Sequence, residues 1–169
     1  MTEIKQSQEE IVAALLKKYT LTITTAESCT GGLIAGTLIN VPGISDYFQE
    51  GYITYANEAK EKLLHVSHET LTNFGAVSSE TAKEMALGAK AAAGSNISVI
   101  STGIAGPDGG TDEKPVGLVY LACCLNDDIE VEKHIFSGNR KEVREASVLS
   151  ALQLVERMIK KHMDKRIES

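Results

Sequence analysis

Two glycine-rich segments, each directly following a short run of β-branched and apolar residues, limit the possible folds of this chain. Residues 21–26 (LTITTA) lead into 27–32 (ESCTGG), and residues 97–101 (ISVIS) lead into 103–110 (GIAGPDGG). β-branched runs of this length predict strands, and glycines at their ends predict tight turns. A strand that ends in such a turn before a helix is a typical unit of α/β proteins.

The remaining hydrophobic periodicity alternates between helical and extended spacing. Apolar residues at helical spacing predict helices over 9–18, 33–40, 58–66, 70–74, 79–94 and 141–161. Further strands are predicted at 51–56, 118–125 and 129–136, and the last two should form an antiparallel hairpin around a polar turn. The pattern therefore predicts about five strands between two helical layers.

Composition fits one domain over residues 1–169 and excludes several functional classes. The chain is 43% hydrophobic and 24% charged, as expected for a globular domain. It has no apolar run near the roughly 20 residues that span a bilayer, and no signal-peptide pattern at its amino terminus. We therefore expect a cytoplasmic protein with no membrane association. A net charge of -6 and 5% aromatic residues argue against nucleic-acid binding.

Cysteine and histidine spacing predicts no metal site. Cys29, Cys123 and Cys124 form neither a C-x-x-C pair nor a disulfide framework, so reduced thiols are expected. The histidines also lack ligand spacing and lie outside the glycine-rich segments. A catalytic Ser–His pair therefore has little support.

Both glycine-rich turns fall where α/β sheets usually bind ligands, outside the carboxyl ends of strands. The first would place Ser28 at a strand tip beside the N–H groups of Thr30, Gly31 and Gly32. Such N–H groups can bind an oxyanion or a phosphate. Alternatively, both turns are ordinary loops, since neither matches G-x-x-x-x-G-K-[ST] or G-x-G-x-x-G in its usual context. Two such turns in one small domain favour a site for an anionic small molecule.

Five segments of the sequence resemble one family. They are 26–32 (AESCTGG), 51–60 (GYITYANEAK), 75–78 (GAVS), 103–110 (GIAGPDGG) and 114–117 (KPVG). Together they resemble the CinA carboxyl-terminal domain family over nearly the whole chain. The resemblance implies a three-layer α/β/α sandwich with a mixed, mostly parallel sheet. It also implies a homo-oligomer, dimer or higher, that needs no metal or cofactor.

The same resemblance implies an activity. Stand-alone members are similar to an amidohydrolase that converts nicotinamide mononucleotide and water to nicotinic acid mononucleotide and ammonia. Longer members carry an additional amino-terminal domain linked to ADP-ribose hydrolysis. We find no counterpart of that domain in these 169 residues and do not expect its activity here.

The family's catalytic serine, tyrosine and lysine correspond to Ser28, Tyr55 and Lys60. A serine nucleophile needs a base, and a lysine serves only when neutral. An ordinary lysine, with a pKa of about 10.4, is neutral in roughly one molecule per thousand near pH 7.4, which costs about 4 kcal/mol. Tyr55 either relays the proton or holds the lysine. Structural alternatives are a solvated Lys60 and a cross-strand packing role for Tyr55.

Ser28 has two competing interpretations. It could cap the following helix, a role that we assign instead to Thr30. Cys29 is a rival nucleophile because a thiol needs less activation than a hydroxyl. Adjacent residues leaving a strand point in opposite directions, so we expect Cys29 to pack inward and Ser28 to face the ligand.

Substrate contacts are predicted along both turns, with the phosphate on one and the carboxamide oxygen on the other. Arg140 is the candidate cationic contact, although a surface salt bridge is an equal alternative. Glu27 and Asp108 could orient ribose hydroxyls or loops. The predicted substrate-binding set is Glu27, Thr30, Gly31, Gly32, Thr102, Gly103, Gly106, Asp108, Gly109, Gly110 and Arg140. Alternative functions are a non-catalytic nucleotide- or protein-binding module associated with competence, and a hydrolase of another small amide.

Overall fold

The computed structural model describes residues 6–168, which contain five strands and six α-helices. The strands are β1 (Ile23–Glu27), β2 (Phe48–Ile53), β3 (Ile97–Gly103), β4 (Leu118–Leu125) and β5 (Asp128–Ile135). The helices are α1 (Gln8–Tyr19), α2 (Leu33–Leu38), α3 (Asn57–Leu64), α4 (His68–Phe74), α5 (Ser79–Ala93) and α6 (Arg140–Glu168). A short 3₁₀ helix (Ile44–Asp46) precedes β2.

All five strands belong to one mixed sheet in the order β2-β1-β3-β4-β5. β1 pairs in parallel with both β2 and β3, whereas β4 is antiparallel to β3 and to β5. Four of the five strands therefore run in the same direction. The predicted β4–β5 hairpin and the mixed, mostly parallel α/β sheet are confirmed.

Helices cover both faces of the sheet and enclose two hydrophobic clusters. α1, α2 and α6 pack on one face around residues such as Leu16, Ile34 and Val155. α3, α4 and α5 lie on the other face, where Leu64 and Met85 contribute to the second cluster. β1 lies between β2 and β3 with all five residues buried, which explains its run of β-branched residues without alternation.

The sequence-based boundaries of β2 differ from the observed ones at both ends of the strand. The alternation in 51–56 predicts a strand there, but β2 begins at Phe48 and ends at Ile53. It is an edge strand with mostly exposed residues, so the sequence carries little burial pattern to mark its start. α6 also extends beyond the predicted 141–161. No helix within residues 6–168 has the length and apolar character needed to cross a bilayer.

Candidate active site

Ser28 directly follows β1, the middle strand of the parallel part of the sheet, at the carboxyl end of that strand. Its N–H donates to Ser101 O on β3 at 2.9 Å, which fixes the backbone at this point. Its side chain is 9% exposed and faces α3, whereas the next residue, Cys29, packs in the cluster on the α6 side. The predicted opposite orientation of Ser28 and Cys29 is confirmed.

Lys60 of α3 is the buried partner of Ser28. Its side chain is 1% exposed, and Nζ lies 3.2 Å from Ser28 Oγ. Two main-chain oxygens also accept from Nζ, Thr54 O at 2.8 Å and Tyr55 O at 3.5 Å. Burial lowers the pKa of Lys60, because a charged amine loses hydration there. In the neutral form, the two carbonyls can accept both N–H groups, leaving the nitrogen lone pair for the Ser28 hydroxyl proton.

The position of α3 depends on Gly88, which the sequence analysis did not single out. α5 and α3 pack so closely that a Cβ added at Gly88 would lie 1.8 Å from Leu64 O. Leu64 is the last residue of α3, one turn after Lys60. The glycine in α5 therefore permits the close packing that holds Lys60 beside β1.

The buried Glu27 carboxylate caps the amino terminus of α2. Its side chain is 1% exposed and accepts from Thr30 Oγ1 at 2.6 Å, Ile34 N at 2.7 Å and Ala35 N at 3.1 Å. A carboxylate at a helix amino terminus satisfies free N–H groups and the helix dipole. These contacts occupy the carboxylate with the protein itself, so its placement does not support the predicted substrate contact.

The predicted N-cap role of Thr30 is wrong. The N-cap position of α2 is Gly32, which offers no side-chain cap, and the Glu27 carboxylate takes over that function. The fully buried Thr30 hydroxyl donates to Glu27 and also contacts Ser101 Oγ at 2.7 Å. This hydroxyl is therefore part of a buried network under the turn and does not face a ligand.

Gly31 and Gly32 shape the first turn. Both have positive φ, 58° and 99°, values that side chains with a Cβ rarely adopt. The N–H of Gly31 donates to Ser28 O at 3.1 Å and closes the turn. Within the described residues, the N–H groups of Thr30 and Gly32 make no hydrogen bond, but Thr30 has no exposed surface, so only the N–H of half-buried Gly32 is open to a ligand.

Two arginines of α6, Arg140 and Arg144, connect the helix to both turns. Arg144 donates from Nε to Cys29 O at 3.0 Å and from Nη2 to Thr30 O at 3.1 Å. Arg140 donates from Nη1 to Gly106 O at 2.8 Å and from Nη2 to the Tyr55 hydroxyl at 3.0 Å. The sequence analysis missed Arg144; its spacing of four residues from Arg140 was the available signal.

Tyr55 does not contact the other two predicted catalytic side chains. Its side chain is 63% exposed, and its hydroxyl bonds Arg140 instead of Ser28 or Lys60. Successive side chains of an extended segment point in opposite directions, so Thr54 is buried whereas the exposed Tyr55 side chain reaches Arg140 of α6. The structure thus brings Ser28 and Lys60 together but leaves the Tyr55 hydroxyl apart from them.

The second glycine-rich turn lies in the loop between β3 and β4, and hydrogen bonds join the two ends of this loop. At the base of the loop, Ile104 N donates to Leu118 O at 2.8 Å and Gly117 N donates to Ile104 O at 2.7 Å. Close packing excludes a Cβ at Gly103 and at Gly110, where Leu118 O and Val116 N would each lie 2.7 Å away. The segment with Asp108, Gly109 and Gly110 is exposed, whereas Gly106 is buried and its carbonyl accepts from Arg140.

Thr102 secures a neighbouring segment and is not open to a ligand. It is 1% exposed, and its hydroxyl donates to Ala76 O at 2.7 Å. Ala76 precedes Ser78, whose side chain caps α5. Thr102 therefore ties the start of α5 to β3, in place of the predicted substrate contact.

Cys29 is poorly suited to nucleophilic attack. Burial raises the pKa of its thiol to about 11, with a smaller opposing effect from a hydrogen bond with Ser101. The thiolate, which is the reactive form, is therefore scarce at neutral pH. All three cysteines are free and buried. Residues 6–168 contain no group of three or more His, Cys, Asp or Glu side chains placed to hold a metal ion.

The fold and this geometry define an α/β sandwich with a buried Ser–Lys pair at the carboxyl end of its central parallel strand. The chain belongs to the CinA family: the CinA C-terminal domain matches residues 5–159. A putative competence-damage inducible protein of Clostridium novyi is 52% identical over 88% of this chain and 36% of its own length. A CinA-like protein of Kosmotoga olearia is 54% identical over 92% of this chain and 38% of its own length. The chain thus spans less than two fifths of these relatives.

Solved structures show the same fold. A CinA superfamily protein from Klebsiella pneumoniae superposes with a TM-score of 0.87 at 33% identity, covering 92% of this chain and 99% of that one. A competence/damage inducible protein from Agrobacterium tumefaciens has a TM-score of 0.82 at 44% identity, covering 92% and 97%. These structures are similar in length to the present chain, unlike the longer relatives.

Proposed function

We propose that the chain is an amidohydrolase that converts nicotinamide mononucleotide and water to nicotinic acid mononucleotide and ammonia. The supporting observation is the 3.2 Å contact between Lys60 Nζ and Ser28 Oγ at a buried site. The substrate is taken from the family resemblance. Such a pair fits acyl transfer, because a neutral amine beside a hydroxyl is the arrangement that a serine nucleophile needs.

In the first half-reaction, Ser28 Oγ attacks the carboxamide carbon while its proton passes to Lys60 Nζ. The resulting tetrahedral intermediate carries a negative oxygen. When it collapses, the C–N bond breaks and the leaving nitrogen takes the proton from Lys60, which releases ammonia. The products of this step are an ester at Ser28 and a neutral lysine.

In the second half-reaction, water attacks the ester and Lys60 accepts its proton. Collapse of the second tetrahedral intermediate breaks the bond to Ser28 Oγ, and Lys60 returns the proton to that oxygen. The product then leaves as the carboxylic acid and ionises to the carboxylate, with its proton passing to water. In each half-reaction, the base must be neutral at the start, which the lowered pKa of Lys60 favours.

The N–H of Gly32 is the proposed oxyanion donor, because it lies at the start of α2, bonds no other described residue and belongs to a half-buried residue. A helix amino terminus favours negative charge. We place the substrate phosphate towards Arg140 at the second turn, near buried Gly106. Exposed Asp108 is part of the same turn and would repel a phosphate placed at the tip of the loop.

Ammonia release from nicotinamide mononucleotide by the purified chain tests the proposal. Ser28→Ala and Lys60→Met should each lower kcat by at least about a hundredfold, since each removes a reacting group. The matched controls are Cys29→Ser, which removes the rival nucleophile, and Lys62→Met, which removes an exposed lysine of the same helix. Both should retain wild-type turnover.

The same assay separates the alternatives. The names of the longer relatives refer to competence and damage, which suits a binding module as well as an enzyme. Binding of the mononucleotide without turnover by the wild type would support such a module. Release of ammonia from other small amides, with none from the mononucleotide, would change the substrate and keep the mechanism. Full activity of Ser28→Ala would exclude the proposed nucleophile.

A further inference from the structure

Tyr55 presents a fixed and exposed aromatic ring beside the Ser28–Lys60 pair. Its main chain is held on one side, where its carbonyl lies 3.5 Å from Lys60 Nζ and the preceding Thr54 N–H donates to Glu27 O at 3.0 Å. Its hydroxyl is held on the other side by Arg140, which also bonds Gly106 O. The ring therefore spans the distance between the reacting pair and the second glycine-rich turn.

A tyrosine with a purely structural role would not need a ring that is both exposed to solvent and fixed in position. A ring 63% exposed gains little from burial, yet both of its ends are fixed. Exposed aromatic surface that is already held in one conformation binds flat ligands with little further loss of conformational freedom. Among the described residues, the only other aromatic side chain of comparable exposure is Phe74, at the end of α4.

We infer that the Tyr55 ring forms the wall against which the substrate's planar aromatic ring packs, so that Tyr55 determines specificity for aromatic carboxamides and does not transfer a proton. The inference rests on the proposed function and assigns a role within the same site. A pyridinium ring suits this wall because it is both flat and positively charged, and the face of a phenol attracts cations. The exposed face of the Tyr55 ring would lie against the pyridinium ring, while the substrate's carboxamide reaches Ser28.

The two possible roles of Tyr55 predict opposite results for two substitutions. Tyr55→Phe keeps the ring and removes the hydroxyl, whereas Tyr55→Leu removes the aromatic face. For a binding wall, Tyr55→Phe should lower kcat far less than Ser28→Ala or Lys60→Met does, because the ring stays and only the hydroxyl bond to Arg140 is lost. Tyr55→Leu should raise KM about tenfold, the size expected for loss of a cation–π or stacking contact. A hundredfold loss of kcat in Tyr55→Phe would instead show proton transfer and overturn the inference.

Binding measured without turnover keeps this test separate from the test of the proposed function. In the Ser28→Ala background, calorimetry with nicotinamide mononucleotide should give a Kd that Tyr55→Leu raises about tenfold and Tyr55→Phe raises less, because phenylalanine keeps the ring face and loses only the hydroxyl bond to Arg140. The control Phe74→Leu should leave Kd unchanged. Absence of ammonia release by the wild type would refute the enzyme. An equal Kd for Tyr55→Leu and its parent would refute the wall, whether or not turnover occurs.

A spectroscopic signal offers a second readout. The chain has five tyrosines and no tryptophan, so its intrinsic fluorescence comes from tyrosine. A pyridinium ring stacked on Tyr55 should quench part of that emission. Quenching by the mononucleotide should saturate at the calorimetric Kd and be reduced in Tyr55→Leu. Quenching that is the same in both proteins would contradict contact with this ring.

Discussion

Gly88→Ala should both destabilise the protein and separate the catalytic pair. In an exposed helix interior this change would normally be favourable, because alanine is preferred over glycine by about 1 kcal/mol. At Gly88, however, the new Cβ would lie 1.8 Å from Leu64 O and 2.7 Å from Leu64 C. Both atoms belong to the main chain of α3, so no side-chain rotation can relieve the contact.

Gly88→Ala requires α3 to move away from α5. Cβ atoms are essentially never found closer than 3.0 Å to another heavy atom, whereas the added Cβ would lie 1.8 Å from Leu64 O. The α3 helix must therefore move away from α5 by more than 1 Å. Overpacking of this kind costs about 1–3 kcal/mol, partly offset by the helix preference for alanine. Lys60 lies one turn before Leu64, so its 3.2 Å contact with Ser28 should lengthen beyond hydrogen-bond range. A misplacement of about 1 Å can lower turnover about a hundredfold.

Urea denaturation followed by circular dichroism measures the first effect, and ammonia release measures the second. The matched control is Gly36→Ala in α2, where an added Cβ meets nothing within 4 Å. That variant should match the wild type or gain up to about 1 kcal/mol. Gly88→Ala with the stability and turnover of this control would refute the described packing of α3 on α5.

Three further outcomes follow from the charges and contacts of the site. The kcat/KM for ammonia release should rise with pH up to an apparent pKa below that of an ordinary lysine, because deprotonated Lys60 is the base and burial lowers its pKa; no pH dependence there would contradict this role. Iodoacetamide at neutral pH should modify Cys29 much more slowly in the native than in the urea-unfolded protein, since its pKa is raised to about 11; equal rates would contradict its burial. Arg144→Met should lower the free energy of unfolding by about 1–3 kcal/mol, because the hydrogen bonds to two buried carbonyls are lost. The control Lys141→Met, at an exposed position, should cost little. Denaturation curves of both variants measure these changes.

Much of the fold was predictable because its signals are local. β1 and β3 are buried on both faces, and their β-branched and apolar runs require no long-range information. The hairpin of β4 and β5 follows from an apolar run and an alternating segment around a polar turn, and most helix bounds agree to within a few residues. The start of β2 was missed because an edge strand with exposed residues carries no clear burial pattern.

The site was less predictable because its contacts connect distant parts of the chain. Lys60 lies in a charged segment that by itself suggests a solvated residue, and its burial results from α3 packing on α5. Arg144 bonds the carbonyl of Cys29, 115 residues earlier, and no local pattern marks such a pair. Thr30 was the natural local candidate for the cap of α2, but the buried Glu27 carboxylate reaches the same N–H groups.

The alternation of side chains along β1 and beyond explains how a buried acid and a buried amine coexist in this small site. Glu27 faces α2 and takes its partners there, whereas the next residue, Ser28, faces α3 and Lys60. The hydrogen-bond partners of Lys60 Nζ are a hydroxyl and two main-chain carbonyls, all of them uncharged. A carboxylate in contact with this amine would stabilise its charged form and raise its pKa, which would remove the base. The strand geometry thus keeps the acid that builds α2 away from the amine, and this separation allows burial to favour the neutral lysine.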